Sequence, residues 1–386
     1  MNTVLEPGTL VGQRFVVQGA AGHDGMGTVY RGRDMLRDET VAIKLLDGNF
    51  IRSDENERFA REVQILAELC HPGIVSYVAH GVIGNGQPYL VMEWLKGEEL
   101  SQRLRRSPMT PRESLLLIRH IAEALDIAHQ RQIVHRDLKP SNLFLRNGDL
   151  AQVTILDFGI ARRGMHSTSV TRTGLVIGTP EYMAPEQARG QRDIEASADI
   201  FSLGCVLYEC LTGQPPFAAD VVAGVLAKIL FEPAPSVRAL HPAIPESLDR
   251  LIAQMLEKSP AARLQNAGQL LAALESLAPD AVTISSLSLP RISASRGASS
   301  PSEQQLVSVL LSSVPSLVPA WDSETTMATP NSLEPLRDLQ HELSGYGAKV
   351  EILADGSIVT VLTQRNHMTA NDQASQAARC ALTMAQ

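Results

Sequence analysis

The chain has 386 residues, of which 44% are hydrophobic and 20% charged. This length favours two or more domains, and this balance is typical of a globular protein rather than a disordered or fibrous one. The formal net charge of -8 argues against a general nucleic-acid binder or a protein that adheres to anionic membranes, because both need a cationic surface.

The N-terminus lacks a basic region followed by an apolar stretch, so we expect no secretory signal. No apolar run approaches the ~20 residues needed to span a bilayer, so we expect no membrane span. The four cysteines are widely spaced and contain no CxxC pair, which disfavours a zinc site or a disulfide framework. We therefore expect reduced core thiols in a cytoplasmic protein.

Short β-branched runs separated by Gly-rich or charged turns occupy the first quarter of the chain. They are Phe15–Val17, Thr28–Tyr30, Val41–Ile43 and Leu90–Val91. One stretch with helical spacing, Asp54–Leu69, interrupts them. The pattern predicts an antiparallel sheet with one helix.

After Gly97 the pattern becomes mainly helical. Ser114–Gln130 carries one apolar stripe, whereas Ala198–Leu211 is apolar nearly all round and is predicted to be a buried helix. Residues 279–302 are rich in serine and are predicted to be a flexible linker. Beyond them we predict a small α/β segment, with a strand at Leu306–Leu311 and a hairpin that turns at Asp355-Gly356.

Residues 135–142 read His-Arg-Asp-Leu-Lys-Pro-Ser-Asn and resemble the catalytic loop of protein kinases at every position. Phosphoryl transfer needs a carboxylate that orients and deprotonates the attacking hydroxyl, together with oxygen ligands for magnesium. The resemblance implies that Asp137 is the base and that Asn142 is a magnesium ligand. Lys139 matches the serine/threonine form of the loop, in which the ammonium helps to neutralise the transferred group.

Asp157-Phe158-Gly159 follows an apolar strand, and in this family its aspartate is the second magnesium ligand. Lys44 ends the strand motif Val-Ala-Ile-Lys and is implied to bind the ATP phosphates, held by Glu62 of the following helix. Leu66, one turn beyond Glu62, is implied to pack toward Phe158 and His135.

The Gly-rich loop departs from the family pattern. Its GxGxxG frame falls on Gly22, Asp24 and Gly27, so a carboxylate stands where backbone amides must approach phosphate closely. Asp24 could weaken ATP binding, or the extra residues of Gly19–Gly27 could let the loop shift its register, since Gly19, Gly22 and Gly25 also offer glycine positions. The resemblance implies that ATP binds residues of this loop, of the strands behind it and of the hinge: Gly22, Gly25, Gly27, Val29, Ala42, Lys44, Met92, Glu93 and Leu95.

The segment before Gly178-Thr179-Pro180-Glu181 is rich in Ser and Thr and resembles an activation segment. Because Arg136 precedes the catalytic aspartate and favours an anion, we predict phosphorylation at Thr171 or Thr173. The resemblance also implies a contact of Thr179 near Asp137 and Lys139. A solvated Ser/Thr loop with no regulatory role is the alternative.

Three polar residues beyond the segment are expected to be structural. Glu186 and Arg263 are implied to form a buried ion pair. Asp199 is expected both to cap the apolar helix and to anchor the backbone of the catalytic loop.

Residues 303–386 weakly resemble the beginning of a class III nucleotide cyclase domain. Asp355 stands where that family has one metal-binding aspartate, but Ser313 replaces the other, and a hydroxyl lacks the charge that a metal pair needs. We interpret the segment as a degenerate cyclase-like module. An ordinary Asp-Gly hairpin turn is the competing interpretation of Asp355.

The predicted fold class is α+β, with the bilobal architecture of protein kinases. We expect a tail at 1–13, a kinase domain at 14–278 with lobes at 14–93 and 96–278, a linker at 279–302 and an α/β segment at 303–386. The predicted function is ATP- and Mg²⁺-dependent phosphorylation of protein serine and threonine, with autophosphorylation in trans through a transient dimer and no nucleic-acid partner. The alternatives are a low-activity or nucleotide-binding pseudokinase that acts as a scaffold and, less favoured, a cyclase.

Overall fold

The computed structural model describes most of the kinase-like region and separate pieces of the C-terminal region. The described residues are 4–24, 27–46, 60, 63–84, 86–106, 109–158, 180–191, 193–219, 221–277, 307–313, 343, 348–352, 357–363 and 376–382. The predicted sites at Gly25, Glu62, Thr171, Thr173, Thr179 and Asp355 lie outside these ranges, as does the side chain of Asp24.

Six strands form the sheet of the small lobe, in the order β1-β2-β3-β4-β6-β5. They are β1 Leu10–Val11, β2 Phe15–Asp24, β3 Gly27–Asp34, β4 Glu39–Leu46, β5 Tyr77–Val82 and β6 Pro88–Glu93. Every neighbouring pair is antiparallel, as predicted. Of the predicted helix, residues 63–67 are described and helical, with Val63 and Leu66 buried.

The two faces of this sheet have different roles. Tyr30, Ile43, Leu45 and Val91 belong to a buried apolar cluster on the outer side. On the other face the strand register places Gly22 beside Val29 and Val29 beside Lys44, with Ala42 beside Met92. Because directly paired residues of antiparallel strands project to the same side, these five share the face turned toward the large lobe.

The large lobe is mainly helical. Its helices are α1 Leu100–Arg106, α2 Pro111–Gln130, α3 Pro185–Ala188, α4 Ser197–Thr212, α5 Val222–Phe231, α6 Val237–Leu240, α7 Glu246–Met255 and α8 Ala267–Ser276. Helix α2 begins with a reciprocal capping box between Thr110 and Glu113. Nearly every residue of α4 is buried, as its all-round apolar sequence predicted.

A second, three-stranded sheet belongs to the large lobe. It contains β7 Gly97–Glu99, β8 Leu143–Arg146 and β9 Val153–Ile155, in that order. The catalytic loop immediately precedes β8, and Asp157 follows β9 by two residues. This hairpin therefore brings the two predicted metal-binding segments to one end of the same small sheet.

The C-terminal region contributes a third sheet of three antiparallel strands in the order β10-β12-β11. They are β10 Val307–Ser313, β11 Ala348–Ile352 and β12 Ser357–Thr363. The predicted strand is thus present, and β11 and β12 pair as the predicted hairpin requires, whereas its turn at Asp355-Gly356 lies outside the described residues. Residues 376–382 are helical, and Cys380 packs against this sheet.

Two predictions need correction. All four cysteines are free, but Cys70 is exposed rather than in the core. Asp199 does not cap α4, because the N-cap is Ala196, without a side-chain cap, and the Asp199 carboxylate is engaged by the catalytic loop. Within the described ranges, no helix is long and apolar enough to cross a membrane.

Candidate active site

Asp199 anchors the backbone of the catalytic loop, as predicted. Its carboxylate accepts hydrogen bonds from the backbone amides of His135 at 2.7 Å and Arg136 at 2.8 Å. The ring of His129, which sequence reasoning missed, contacts the same carboxylate at 3.0 Å. Burial raises the pKa of Asp199, but the hydrogen bond and charge of His129 outweigh burial, so the pKa lies below its ordinary value.

Asp137, Lys139 and Asn142 come together as the motif predicted. The Lys139 ammonium lies 2.9 Å from Oδ2 of Asp137. The Asn142 amide donates to the Asp137 carbonyl at 2.8 Å and to its Oδ2 at 3.1 Å. These contacts fix the orientation of a partly accessible carboxylate and place a cation beside it, which is the arrangement that a base needs for phosphoryl transfer.

Lys44 and Asp157 form the second cluster. The Lys44 ammonium donates to Oδ2 of Asp157 at 2.8 Å, and only 2% of the lysine is exposed. Asp157 has a left-handed backbone with a φ of 48°, an uncommon conformation for a residue other than glycine and one often found at functional sites. The predicted Lys44–Glu62 pair stays a prediction, because Glu62 is not described.

Aromatic packing connects the catalytic loop with the segment after β9. The rings of His135 and Phe158 lie 4.8 Å apart, and Nε2 of His135 lies 2.7 Å from the Leu156 carbonyl. Leu66 and Phe158 are buried in the same hydrophobic cluster. The loop that carries Asp137 and the segment that carries Asp157 are therefore packed as one unit.

Tyr77 is a neighbour of this site that sequence reasoning missed. Burial and, secondarily, the charge of Asp157 raise the pKa of its hydroxyl. In the register of β5 it lies beside Met92, on the face turned toward the large lobe. A single tyrosine at the start of a strand carries no signal in the sequence, since its proximity to Asp157 arises only from the packing of the lobes.

Five of the predicted ATP-binding residues, Gly22, Val29, Ala42, Lys44 and Met92, share one face of the small-lobe sheet, whereas Glu93 pairs with Val41 of the opposite face and Leu95 lies beyond the sheet. A Cβ on Gly27 would lie 2.1 Å from the Leu45 carbonyl, so this glycine is required by close backbone packing in addition to any role with phosphate. No such clash exists at Gly22.

Glu93 and Leu95 belong to the segment that joins the lobes. Both carboxylate oxygens of Glu93 accept hydrogen bonds from Arg146 of β8, at 2.8 and 2.9 Å. Burial raises the pKa of Glu93, but Arg146 outweighs burial, so the pKa is lower than usual. This side-chain contact across the lobes was not evident in the sequence.

Asn142 and Asp157 have the donor chemistry that magnesium requires. The Asn142 nitrogen is engaged with Asp137, which leaves its amide oxygen as the available donor, and Asp157 supplies a carboxylate. Mg²⁺ prefers oxygen ligands and is usually held by one or two protein groups together with substrate phosphates. In the described part of the chain, no cluster of three or more His, Cys, Asp or Glu side chains suggests a different metal site.

A buried ion pair holds helix α3 against the rest of the large lobe. The predicted pair is confirmed: Glu186 and Arg263 form two buried hydrogen bonds, at 2.7 and 2.8 Å. Gln187, which follows Glu186, donates a hydrogen bond of 2.7 Å from Nε2 to the carbonyl of Arg136, the residue before Asp137. This contact to the catalytic loop was not predicted.

Comparison with known proteins agrees with this geometry. The protein kinase domain family matches residues 15–273. The chain is 40% identical over 269 residues to the serine/threonine-protein kinase PknD of Mycobacterium tuberculosis, covering 68% of this chain and 39% of that protein. Pkn3 of Myxococcus xanthus is 34% identical over 346 residues, covering 85% of this chain and 62% of the relative.

The crystal structure of the M. tuberculosis PknI kinase domain superposes with a TM-score of 0.56 at 25% identity, covering 71% of this chain and 99% of that domain. The chain spans about two fifths of the length of PknD. The matched region contains the catalytic loop, both predicted metal ligands and the Glu186–Arg263 pair. The chain therefore belongs to the protein kinase family, and its kinase domain is similar to those of bacterial serine/threonine-protein kinases.

Proposed function

We propose that this protein transfers the γ-phosphoryl group of ATP to serine and threonine hydroxyls of other proteins. The observation that carries the proposal is the Asp137 carboxylate, held by Lys139 at 2.9 Å and by Asn142 at 3.1 Å. In the proposed reaction the hydroxyl oxygen attacks the γ-phosphorus, its proton passes to Asp137, and the bond to ADP breaks. Lys139 stabilises the negative charge of the transferred group.

The shared face of the small-lobe sheet is the proposed ATP site. Val29, Ala42 and Met92 supply apolar contacts for adenine, and Lys44 supplies a cation for the phosphates. Asn142 and Asp157 would hold Mg²⁺, which supplies positive charge to the phosphate oxygens when bound. Mg²⁺ is the proposed ion because the available donors are oxygen atoms.

Because Asp24 replaces a glycine of the Gly-rich loop, catalytic turnover of ATP must be measured directly. Its carboxylate would repel phosphate, and a scaffold that binds nucleotide without turnover is the alternative that this departure supports. The ordered Asp137 cluster and the Lys44–Asp157 pair favour an active enzyme.

The experiment measures transfer from radiolabelled ATP to myelin basic protein by the wild type, Asp137→Asn and Asp24→Gly. Asp137→Asn keeps the size of the side chain but removes the base, so we expect kcat to fall by about 10²–10⁴. Asp24→Gly is expected to lower the KM for ATP. Wild-type transfer no greater than that of Asp137→Asn would contradict the proposal and favour the scaffold.

Phosphorylation of Thr171 or Thr173 is the proposed regulation, supported by Arg136 next to the base. We further propose that it occurs in trans through a transient dimer. Mixing wild type with Asp137→Asn in MgATP should place phosphate on the variant's segment, as detected by mass spectrometry. A variant that stays unmodified beside an active wild type would contradict transfer in trans.

The cyclase-like resemblance of residues 303–386 also stays a proposal. The antiparallel β11–β12 hairpin is compatible with it, but the serine at position 313 argues against catalysis there. We therefore propose a non-catalytic module, for which no cyclic nucleotide should form from ATP or GTP. A cytoplasmic location likewise stays a prediction from the sequence.

A further inference from the structure

The C-terminal sheet packs against the large lobe of the kinase domain. Val309, Val359 and Val361 of the sheet join an apolar cluster with residues of α3, of α5 and of the segment before α3. The kinase residues of this cluster are Met183, Ala188, Leu226, Ala227, Leu230 and Phe231. We call the surface that they form the α3–α5 face.

The sheet needs cover on both of its sides. Five consecutive residues of β12, Ile358 to Leu362, are each at most 3% exposed. Leu310, Ala348, Val350 and Leu362 pack on one side against Leu343 and Cys380, whereas Val359 and Val361 point to the α3–α5 face. Because a strand that is apolar on both faces must be buried on both, the kinase lobe supplies a cover that the sheet requires.

An ion pair gives the contact a defined orientation. The Arg189 guanidinium, which follows α3, donates two hydrogen bonds to Glu351 of β11, at 3.1 and 3.2 Å. Both side chains are about a quarter exposed, so the pair lies at the rim of the apolar contact. Bidentate pairs of this kind add directional specificity to a nonpolar interface.

One residue of the contact also lies next to the catalytic loop. Met183 belongs to the apolar cluster and also lines a small cavity together with Asp137, Lys139 and Tyr182. A protein substrate that presents a side chain to Asp137 must bring its own surface close to this part of the large lobe. The docked sheet covers the α3–α5 face, to which Met183 belongs.

The effect of docking is expected to be steric rather than conformational. Helix α3 is already held by the fully buried Glu186–Arg263 pair, which is much harder to break than a pair at a partly exposed rim. Release of the sheet would therefore leave α3 and the catalytic loop in place. What changes is the accessible surface of the kinase lobe.

We propose that the α3–α5 face is a docking surface for the chain's own C-terminal sheet, and that the docked sheet hinders access of folded protein substrates without slowing the transfer step. This inference rests on the proposed kinase function. It predicts that docking lowers kcat/KM for a folded protein more than for a short peptide.

The test uses charge reversal in the full chain: Arg189→Glu, Glu351→Arg and the double exchange. Hydrogen exchange of residues 357–363 reports docking, and phosphorylation of a folded protein and of a short Ser/Thr peptide reports access. Each single reversal should speed exchange and raise kcat/KM for the protein severalfold, with the peptide unchanged. The double exchange should restore both. Arg250→Glu reverses an exposed charge on α7 of the same lobe and should change neither.

Unchanged exchange in both single variants would overturn docking. Faster exchange with an unchanged ratio of protein to peptide rates would overturn the control of substrate access. Absence of peptide phosphorylation in every variant, including the wild type, would overturn the proposed function and the substrate part of this inference, while hydrogen exchange would still report whether the sheet docks.

Discussion

Lys258 is a charged residue whose environment the fold changes strongly. Its ammonium lies 3.7 Å from the centroid of the Phe217 ring and donates to the Lys228 carbonyl at 3.1 Å, near the end of α5. Burial lowers the pKa of Lys258 to about 7. A lysine in the unfolded chain keeps its proton until about pH 10.

This difference predicts how stability depends on pH. Between about pH 7 and 10 the unfolded chain binds more protons at this position than the folded chain, so the lysine's contribution to the free energy of unfolding rises with pH. Lys258→Met should lose this dependence. Urea unfolding at pH 7 and pH 9 should therefore show the wild type gaining stability relative to Lys258→Met, whereas the exposed Lys349→Met should follow the wild type. Parallel changes in wild type and Lys258→Met would contradict the prediction.

At the scale of single elements, α3 has a larger role than its four residues suggest. The side-chain oxygen of Gln187 accepts a hydrogen bond from the Ala184 amide at 3.1 Å, and its side-chain nitrogen donates one to the Arg136 carbonyl at 2.7 Å. Arg136 has a left-handed φ of 67°, so its backbone conformation must be maintained by surrounding contacts. Gln187 is thus a positioning residue for the loop that carries Asp137.

Gln187→Glu tests this role, because glutamate has the same shape but no N–H to donate and places a negative charge against a carbonyl. We expect kcat to fall by about tenfold, corresponding to ~1.4 kcal/mol, with little change in the KM for ATP. Steady-state kinetics measure both values. Gln191→Glu, at an exposed position just beyond the helix, is the matched control. Equal kcat values for the two variants would exclude the positioning role.

Most helices and strands could be predicted from the sequence. Alternating β-branched runs predicted the strands of the small lobe, and the apolar sequence of α4 predicted its burial, because both patterns reflect local periodicity. The role of Asp199 was only half predicted. Its position in the first turn suggested a cap, but the choice between capping α4 and binding the amides of His135 and Arg136 depends on what packs against the helix.

At the scale of the whole molecule, the lobes are joined by a polar contact as well as by the chain. Arg146 of the large lobe binds Glu93 of the small lobe through both carboxylate oxygens and also donates to Thr154 at 2.8 Å. Because Glu93 directly follows Met92, this contact links the two lobes at the edge of the proposed adenine site.

Arg146→Met removes the charge and the hydrogen bonds but keeps much of the apolar stem. The lobes should then be held less tightly, so we expect a severalfold increase in the KM for ATP and a smaller change in kcat. Nucleotide-dependent kinetics and a thermal melt would measure activity and stability. Arg33→Met, which breaks an exposed pair with Asp38 in the small lobe, should leave the KM for ATP unchanged. An unchanged KM in Arg146→Met would contradict the proposed role.

The sequence by itself indicated the kinase family and the residues that we propose carry the chemistry. These residues belong to short motifs, whose members lie close together in the sequence and can be recognised without the fold. They are Asp137, Lys139, Asn142, Lys44 and Asp157. Only the tertiary structure decided which groups support them. His129, Tyr77, Arg146 and Gln187, and the docking of the C-terminal sheet through Arg189 and Glu351, depend on contacts between distant segments. Such contacts arise from packing and charge complementarity in three dimensions, which no short motif specifies.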